Sequence, residues 1–276
     1  MRGRLLALVL VACSADGPVR DGKEALEQHD LVRAETAWRT ALRREPDRLD
    51  ALAGLGWTYH LAGERDAARK AFSRCVEVAP EAAECLRGLA SIALAEGQVA
   101  IARDLLGRAL VASPDDPLVR SSMALLEMTT GDLEAAGTHY EALAARFPNR
   151  AEYRLGLAEV RLRQHRNEDA ARTVETALAL PNTSPRYQAM LWQLHARALI
   201  AASAGKEDPE RCAATAPAVR AWLDAAAQSI EQASALGVNL PDLPAVTRRL
   251  ARRVDILNRT CPPEQKSAAE LMAPTG

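Results

Sequence analysis

Apolar and small residues recur along most of this chain at helical spacing, in short bursts separated by turn residues. In the stretch from Leu49 to Pro80, Leu52, Leu55, Gly56 and Tyr59 fall three or four residues apart on one helical face. Gly63 interrupts the pattern, and glycine is the residue best suited to the left-handed conformation just past a helix end. A second run follows with Ala68, Phe72 and Cys75 on one face, and Pro80 closes it because proline cannot continue a helix. The stretch predicts a hairpin of two short amphipathic helices.

The hairpin returns with a period of 34 residues. Gly63, Gly97, Gly131 and His165 share the turn position, and Pro46, Pro80, Pro114 and Pro148 share the closing position. Gly56, Ala90, Ala124 and Ala158 form one small-residue slot, and Ala34, Ala68, Ala102, Ala136 and Ala170 another. A large slot in each second helix holds Trp38, Phe72, Leu106, Tyr140 or Val174. This pattern resembles the tetratricopeptide repeat, whose period is also 34 residues. The matched units are 49–82, 83–116, 117–150 and 151–182, after a half-matched one ending near Pro46. The resemblance implies an all-α, right-handed superhelical solenoid of helix-turn-helix repeats, closed by a C-terminal capping helix. Small residues let two helices approach, the large residue fills the wedge between neighbours, and one unit cannot bury its own face alone.

Past Pro181 the register changes. Arg186 to Ala202 predicts a long helix, Gly205 to Pro217 a loop, and Pro217 to Leu236 a second helix, together a stretched fifth repeat. A last helix spans Asp242 to Leu257, with Leu243, Val246, Leu250, Val254 and Leu257 at helical spacing. Its arginines, Arg248, Arg249, Arg252 and Arg253, are either a solvated cap or a local docking face for anions. The expected organisation is a signal segment at 1–12, a linker at 13–17, an array of about five units at 18–182, a divergent pair plus cap at 183–258, and a disordered tail at 259–276.

Composition changes little. The chain is 48% hydrophobic and 26% charged, which is globular usage, and its net charge of −1 argues against a nucleic-acid binder. No apolar run approaches the roughly 20 residues that span a bilayer.

The N-terminus changes more. Arg2 and Arg4 precede an apolar run from Leu5 to Ala12, followed by Cys13 and Ser14. This resembles a bacterial lipoprotein signal, which implies cleavage before Cys13 and a lipid on its sulfur; the alternative is an ordinary secretory signal. Ser14 after the cysteine implies the outer membrane, facing the periplasm. In an exported chain the four other cysteines can form two disulfides. Cys75 and Cys85 stand across a helix–turn–helix corner, leaving Cys212 and Cys261 to each other; the alternative is four buried small hydrophobes.

No nucleophile elbow, H-E-x-x-H, phosphate loop or dinucleotide fingerprint occurs, and the histidines are scattered. The sequence therefore implies no enzyme, cofactor or metal. In tetratricopeptide arrays the first helix of each unit lines a groove. Carried over by position, the family's groove slots here fall on Trp57, His60 and Leu61; on Arg87, Ser91 and Leu94; on Leu125 and Met128; and on Leu155, Glu159 and Leu162. The lysine and asparagine set that clamps a peptide carboxylate in some members is absent, and the slots form an apolar floor. The expected function is a non-catalytic scaffold, lipid-anchored in the envelope and holding a protein or peptide, with no nucleic acid. The alternative is a soluble periplasmic regulator that binds a small ligand or wall fragment.

Overall fold

The computed structural model describes residues 16–263. The expected signal segment, the lipidation position Cys13 and the tail beyond 263 lie outside the described residues. Among those described, thirteen α-helices and no strand occur. The chain divides into two compact units that meet in sequence at Thr130 and Gly131.

The first unit holds α1 (Gly17–Glu27), α2 (Leu31–Arg44), α3 (Leu49–Leu61), α4 (Arg65–Val78), α5 (Ala83–Ala95), α6 (Val99–Ala112) and α7 (Pro117–Thr130). Consecutive helices pack as antiparallel hairpins, and the first helices α3, α5 and α7 also lie side by side. The predicted faces are the buried ones: Leu52, Leu55 and Tyr59 on α3, and Ala68, Phe72 and Cys75 on α4.

The hairpins are locked by rings set against glycines. A methyl group added at Gly22 or Gly54 would stand 2.6 or 2.5 Å from the Trp38 indole. At Gly56 or Gly88 it would stand 2.5 or 2.4 Å from the Phe72 ring. Both rings are fully buried, so neither can swing away. Each ring therefore touches the first helix of its own hairpin and that of the next, which is the wedge the large slot predicts. Leu106 plays the same part between Ala90 and the α7 residues Met123 and Leu126.

The turn slot is equally regular. His29, Gly63 and Gly97 have φ of 59°, 79° and 73°, the left-handed region that ends each first helix. His29 is an L-residue in that region, at a cost of roughly 1 kcal/mol. A disulfide joins Cys75 to Cys85 across the α4–α5 corner.

The second unit holds α8 (Leu133–Arg146), α9 (Ala151–Arg163), α10 (Asn167–Leu178), α11 (Pro185–Ala202), α12 (Cys212–Ala235) and α13 (Leu243–Thr260). Tyr140 on α8 repeats the wedge, its ring 2.4 Å from a methyl placed on Gly156 of α9. Val174 packs with Ala158, Leu191 and Leu194 between α9, α10 and α11.

Three C-terminal expectations need correction. Helix α12 begins at Cys212, not Pro217, which sits inside it. Cys212 is tied to Cys261, and the Arg211 carbonyl accepts from the Ala214 and Thr215 amides, so a first turn forms upstream of the proline. On α13, Val246 and Leu257 are buried but Val254 is exposed. Arg253 turns inward instead: its guanidinium donates to both Glu207 carboxylate oxygens at 2.8 Å and to the Ser203 carbonyl at 2.6 Å. Glu207 is held below its ordinary value, chiefly by that bond from Arg253. Finally, α13 runs through Thr260 into the buried Cys261, so the expected tail does not start at 259.

The wedge predicts opposite signs for one kind of substitution. Gly54→Ala and Gly88→Ala should each destabilise by about 1–3 kcal/mol through overpacking. Gly107→Ala, where an added methyl meets nothing within 4 Å, should stabilise α6 by roughly 0.5–1 kcal/mol. Urea denaturation of the three variants checks both.

Candidate binding face

Helix α3 is buried on most sides: every residue from Ala51 to Gly56 is buried, and so are Thr58 and Tyr59. Trp57 and His60 are half-buried at its remaining edge, and Leu61 is 55% exposed. Trp57 is seated from below by Phe72, ring centroids 5.2 Å apart and 70° between planes. His60 meets the indole edge-on at 5.4 Å. From α5, the Arg87 guanidinium lies over the indole face, 4.1 Å from its centroid, a cation–π contact. Ser91 Oγ lies 3.2 Å from His60 Nε2. Trp57, His60, Arg87 and Ser91 are thus one cluster on the first-helix face of the first unit.

Its polar atoms are mostly donors without acceptors. Trp57 Nε1 and His60 Nδ1 are both buried and have no hydrogen-bond partner. Arg87 makes no hydrogen bond or ion pair among the described residues. Burial lowers its affinity for its proton, and the charges of Glu84 and Asp116 oppose that without touching it. His60 is held below the usual histidine value, first by burial and then by Arg65 and Arg87, so it is neutral at pH 7. When Ser91 donates to Nε2, the Nδ1–H becomes a third unpaired donor. Trp57 Nε1 and His60 Nδ1 are enclosed, so the group that can receive a carbonyl or carboxylate from outside is the Arg87 guanidinium held on the indole.

Other expected groove positions fare differently. Leu125 shares the slot of Trp57 and Ser91, and is 47% exposed. Leu94 is half-buried against Ala90, Leu106 and Met123, and Met128 is half-buried on α7. Leu155 and Leu162 on α9 are half-buried, packed against the cores that α9 and α10 share with α11. Glu159 is also engaged internally, accepting from Arg197 of α11 at 2.8 and 3.2 Å and from Arg163 at 3.2 Å. Within the second unit α9 thus packs on this side against α11.

One histidine sits in an arrangement that sequence reasoning missed. His195 Nδ1 lies 2.9 Å from Ser229 Oγ, and Nε2 lies 3.3 Å from Glu175. Ser229 is 1% exposed and its hydroxyl donates to the Ala225 carbonyl at 2.7 Å, so it is not presented as a nucleophile. Burial holds His195 below its ordinary value, against the pull of Glu175. His195 and Ser229 stand 34 residues apart on the two helices of the stretched pair, a contact that only the structure makes visible. Among the described residues, no group of three His, Cys, Asp or Glu could hold a metal, and no helix is long and apolar enough to cross a membrane.

With this geometry in place, known proteins can be compared. A tetratricopeptide repeat model matches residues 62–126 and 127–194, and a second such model matches residues 20–77. The matches run from 20 to 194, well over half of the chain. The chain belongs to the tetratricopeptide repeat family. A curated relative, cellulose synthase 1 operon protein C of Komagataeibacter xylinus, is 24% identical over 202 residues. That alignment takes in 69% of this tetratricopeptide chain but spans only 15% of the relative's length. Three solved structures share the fold at 16% identity. A tetratricopeptide repeat protein from Parabacteroides merdae has a TM-score of 0.61, covering 88% of this chain and 86% of its own. PilF of Pseudomonas aeruginosa also scores 0.61, covering 85% and 96%. PilW, a type IV pilus biogenesis factor, scores 0.63, covering 84% and 98%.

The two lowered histidines predict a pH dependence. An unfolded histidine titrates near 6.5, above the folded values, so the unfolded chain binds more protons in the window below about 6.5. Stability should be constant above that pH and fall as the pH drops through the window. In a His60→Asn, His195→Asn variant, thermal unfolding followed from pH 7.5 to 5 should show a smaller acid loss than the wild type. An equal loss would assign the acid sensitivity to other groups.

Proposed function

We propose that this chain is a non-catalytic adaptor that holds a partner protein or peptide on the first-helix face of its N-terminal unit. The observation that carries this reading is Arg87, half-buried on the Trp57 indole with its guanidinium unpaired. Trp and Arg concentrate binding energy at protein interfaces, and a guanidinium with no carboxylate of its own within the described residues can donate to one supplied by a partner. Exposed Leu61, Leu118 and Leu125 on α3 and α7 supply apolar surface for the same partner.

The adaptor is placed in the bacterial envelope, tethered to the outer membrane through a lipid on Cys13 and facing the periplasm. Support comes from the Arg2–Ser14 pattern, the cysteine pairs suited to an oxidising compartment, and relatives that include a pilus biogenesis factor. One acyl chain anchors only marginally, whereas two or more hold stably, which gives the lipidated cysteine its purpose.

Two measurements test these statements separately. A photocrosslinking amino acid at Leu61 should trap a partner in cells, and Trp57→Ala or Arg87→Ala should weaken capture by about 30-fold, the scale of a 2 kcal/mol hot spot. Capture unchanged by both variants would mean that the partner uses another face. Palmitate should label the wild type and not Cys13→Ala; an unlabelled wild type removes the anchor but leaves the binding face untouched.

A further inference from the structure

The arginines of α13 have two different fates. Arg253 is spent on Glu207 and Ser203, with side-chain exposures of 12% and 11% for the ion pair. Arg197 on the facing helix α11 is spent on Glu159. Arg249 and Arg252 are exposed and make no hydrogen bond or ion pair among the described residues. They stand three apart, hence on one face of α13, where like charges repel. Between this face and α11 lies a cavity of about 330 Å3. Its floor is aliphatic: Ile200 and Val246 are 7% and 2% exposed, and Ala201 and Ala204 complete it. Among the described residues, no carboxylate side chain lines it.

We propose that the Arg249–Arg252 pair and the α11–α13 cavity form a binding site for a small amphipathic anion, an aliphatic chain ending in a carboxylate or phosphate. The guanidinium fork matches either head group, and an anion between the two arginines relieves their repulsion. The floor takes the chain. An acidic peptide suits the site less well. The polar side chains of the lining are guanidiniums, which only donate, so peptide N–H groups laid over the floor would lose water and find no side-chain acceptor. An aliphatic chain carries no such groups. The anion can come from a free acyl carboxylate or from a phospholipid head group with part of its chain. The site lies wholly in the second unit and does not depend on the Trp57 cluster.

Calorimetric titration of sodium decanoate, below its micellar concentration, into the full chain tests the free source. Cosedimentation with phosphatidylglycerol vesicles, against phosphatidylcholine vesicles, tests the lipid source. The expected result is saturable one-site binding in at least one arm, weakened more than ten-fold in Arg249→Glu/Arg252→Glu and in Ala204→Glu. All three positions are exposed, so helical circular dichroism should be unchanged. Decyltrimethylammonium should not bind. Absence of binding in both arms overturns the proposal, as does binding unaltered in both variants or shared equally by the cationic amphiphile. Binding of an acidic, leucine-containing peptide in place of decanoate and vesicles also overturns it, and would assign the site to a peptide.

Discussion

A ring pressed against two glycines is the contact on which the first unit depends. Phe72 touches α3 through Gly56 and α5 through Gly88, so a single side chain sets the spacing within one hairpin and between that hairpin and the next. Trp38 does the same one repeat earlier, through Gly22 and Gly54. Removing the Cβ at the contact lets a large ring approach a helix backbone, which buries far more apolar area per residue than an alanine pair could. Glycine inside a helix costs up to about 1 kcal/mol, and the buried ring offsets it. A repeat array has no long-range core, so such contacts must recur at every junction. Where no glycine is available, a Leu106 or Val174 packed on alanines serves instead.

The same ring connects the fold to the binding face. Phe72 meets the edge of Trp57, Trp57 carries Arg87 on its other side, and His60 closes the cluster toward Ser91. The indole is therefore fixed from below before any partner arrives, and Arg87 is held in place by stacking rather than by a carboxylate. A guanidinium oriented in this way needs little reorganisation to donate to an anionic or carbonyl oxygen, which is the advantage of a preorganised site.

The array is legible in the sequence because its rules are local. Period, turn and wedge positions each follow from the steric needs of neighbouring residues, and even His29 and His165 fall in the left-handed turn slot by counting alone. Legibility fails where the spacing departs from the repeat. Glu159 pairs with Arg197 at a separation of 38 residues, one helical turn more than the period, so slots carried over to α11 misplace what it covers. Leu155 and Leu162, carried over as groove, are half-buried against the core that includes α11. Arg253 reads as one more solvated arginine because its partner, Glu207, sits in an inserted loop that no period locates. Pro217 reads as a helix start because proline favours that position, whereas the Cys212–Cys261 bridge secures an earlier turn. Trp57 and Arg87 are visible as groove residues, but the stacking of one on the other appears only in the structure.

Hydrogen exchange of a Phe72→Ala variant, resolved by peptide, tests most directly whether the ring-on-glycine contact carries both the local fold and the face. Loss of this ring should cost about 3–5 kcal/mol at one junction. Protection should fall in α3, α4 and α5, including the peptides that contain Trp57 and Arg87, while α11, α12 and α13 keep wild-type protection. Protection that falls evenly along the chain, or survives in α3 and α5, would contradict the account.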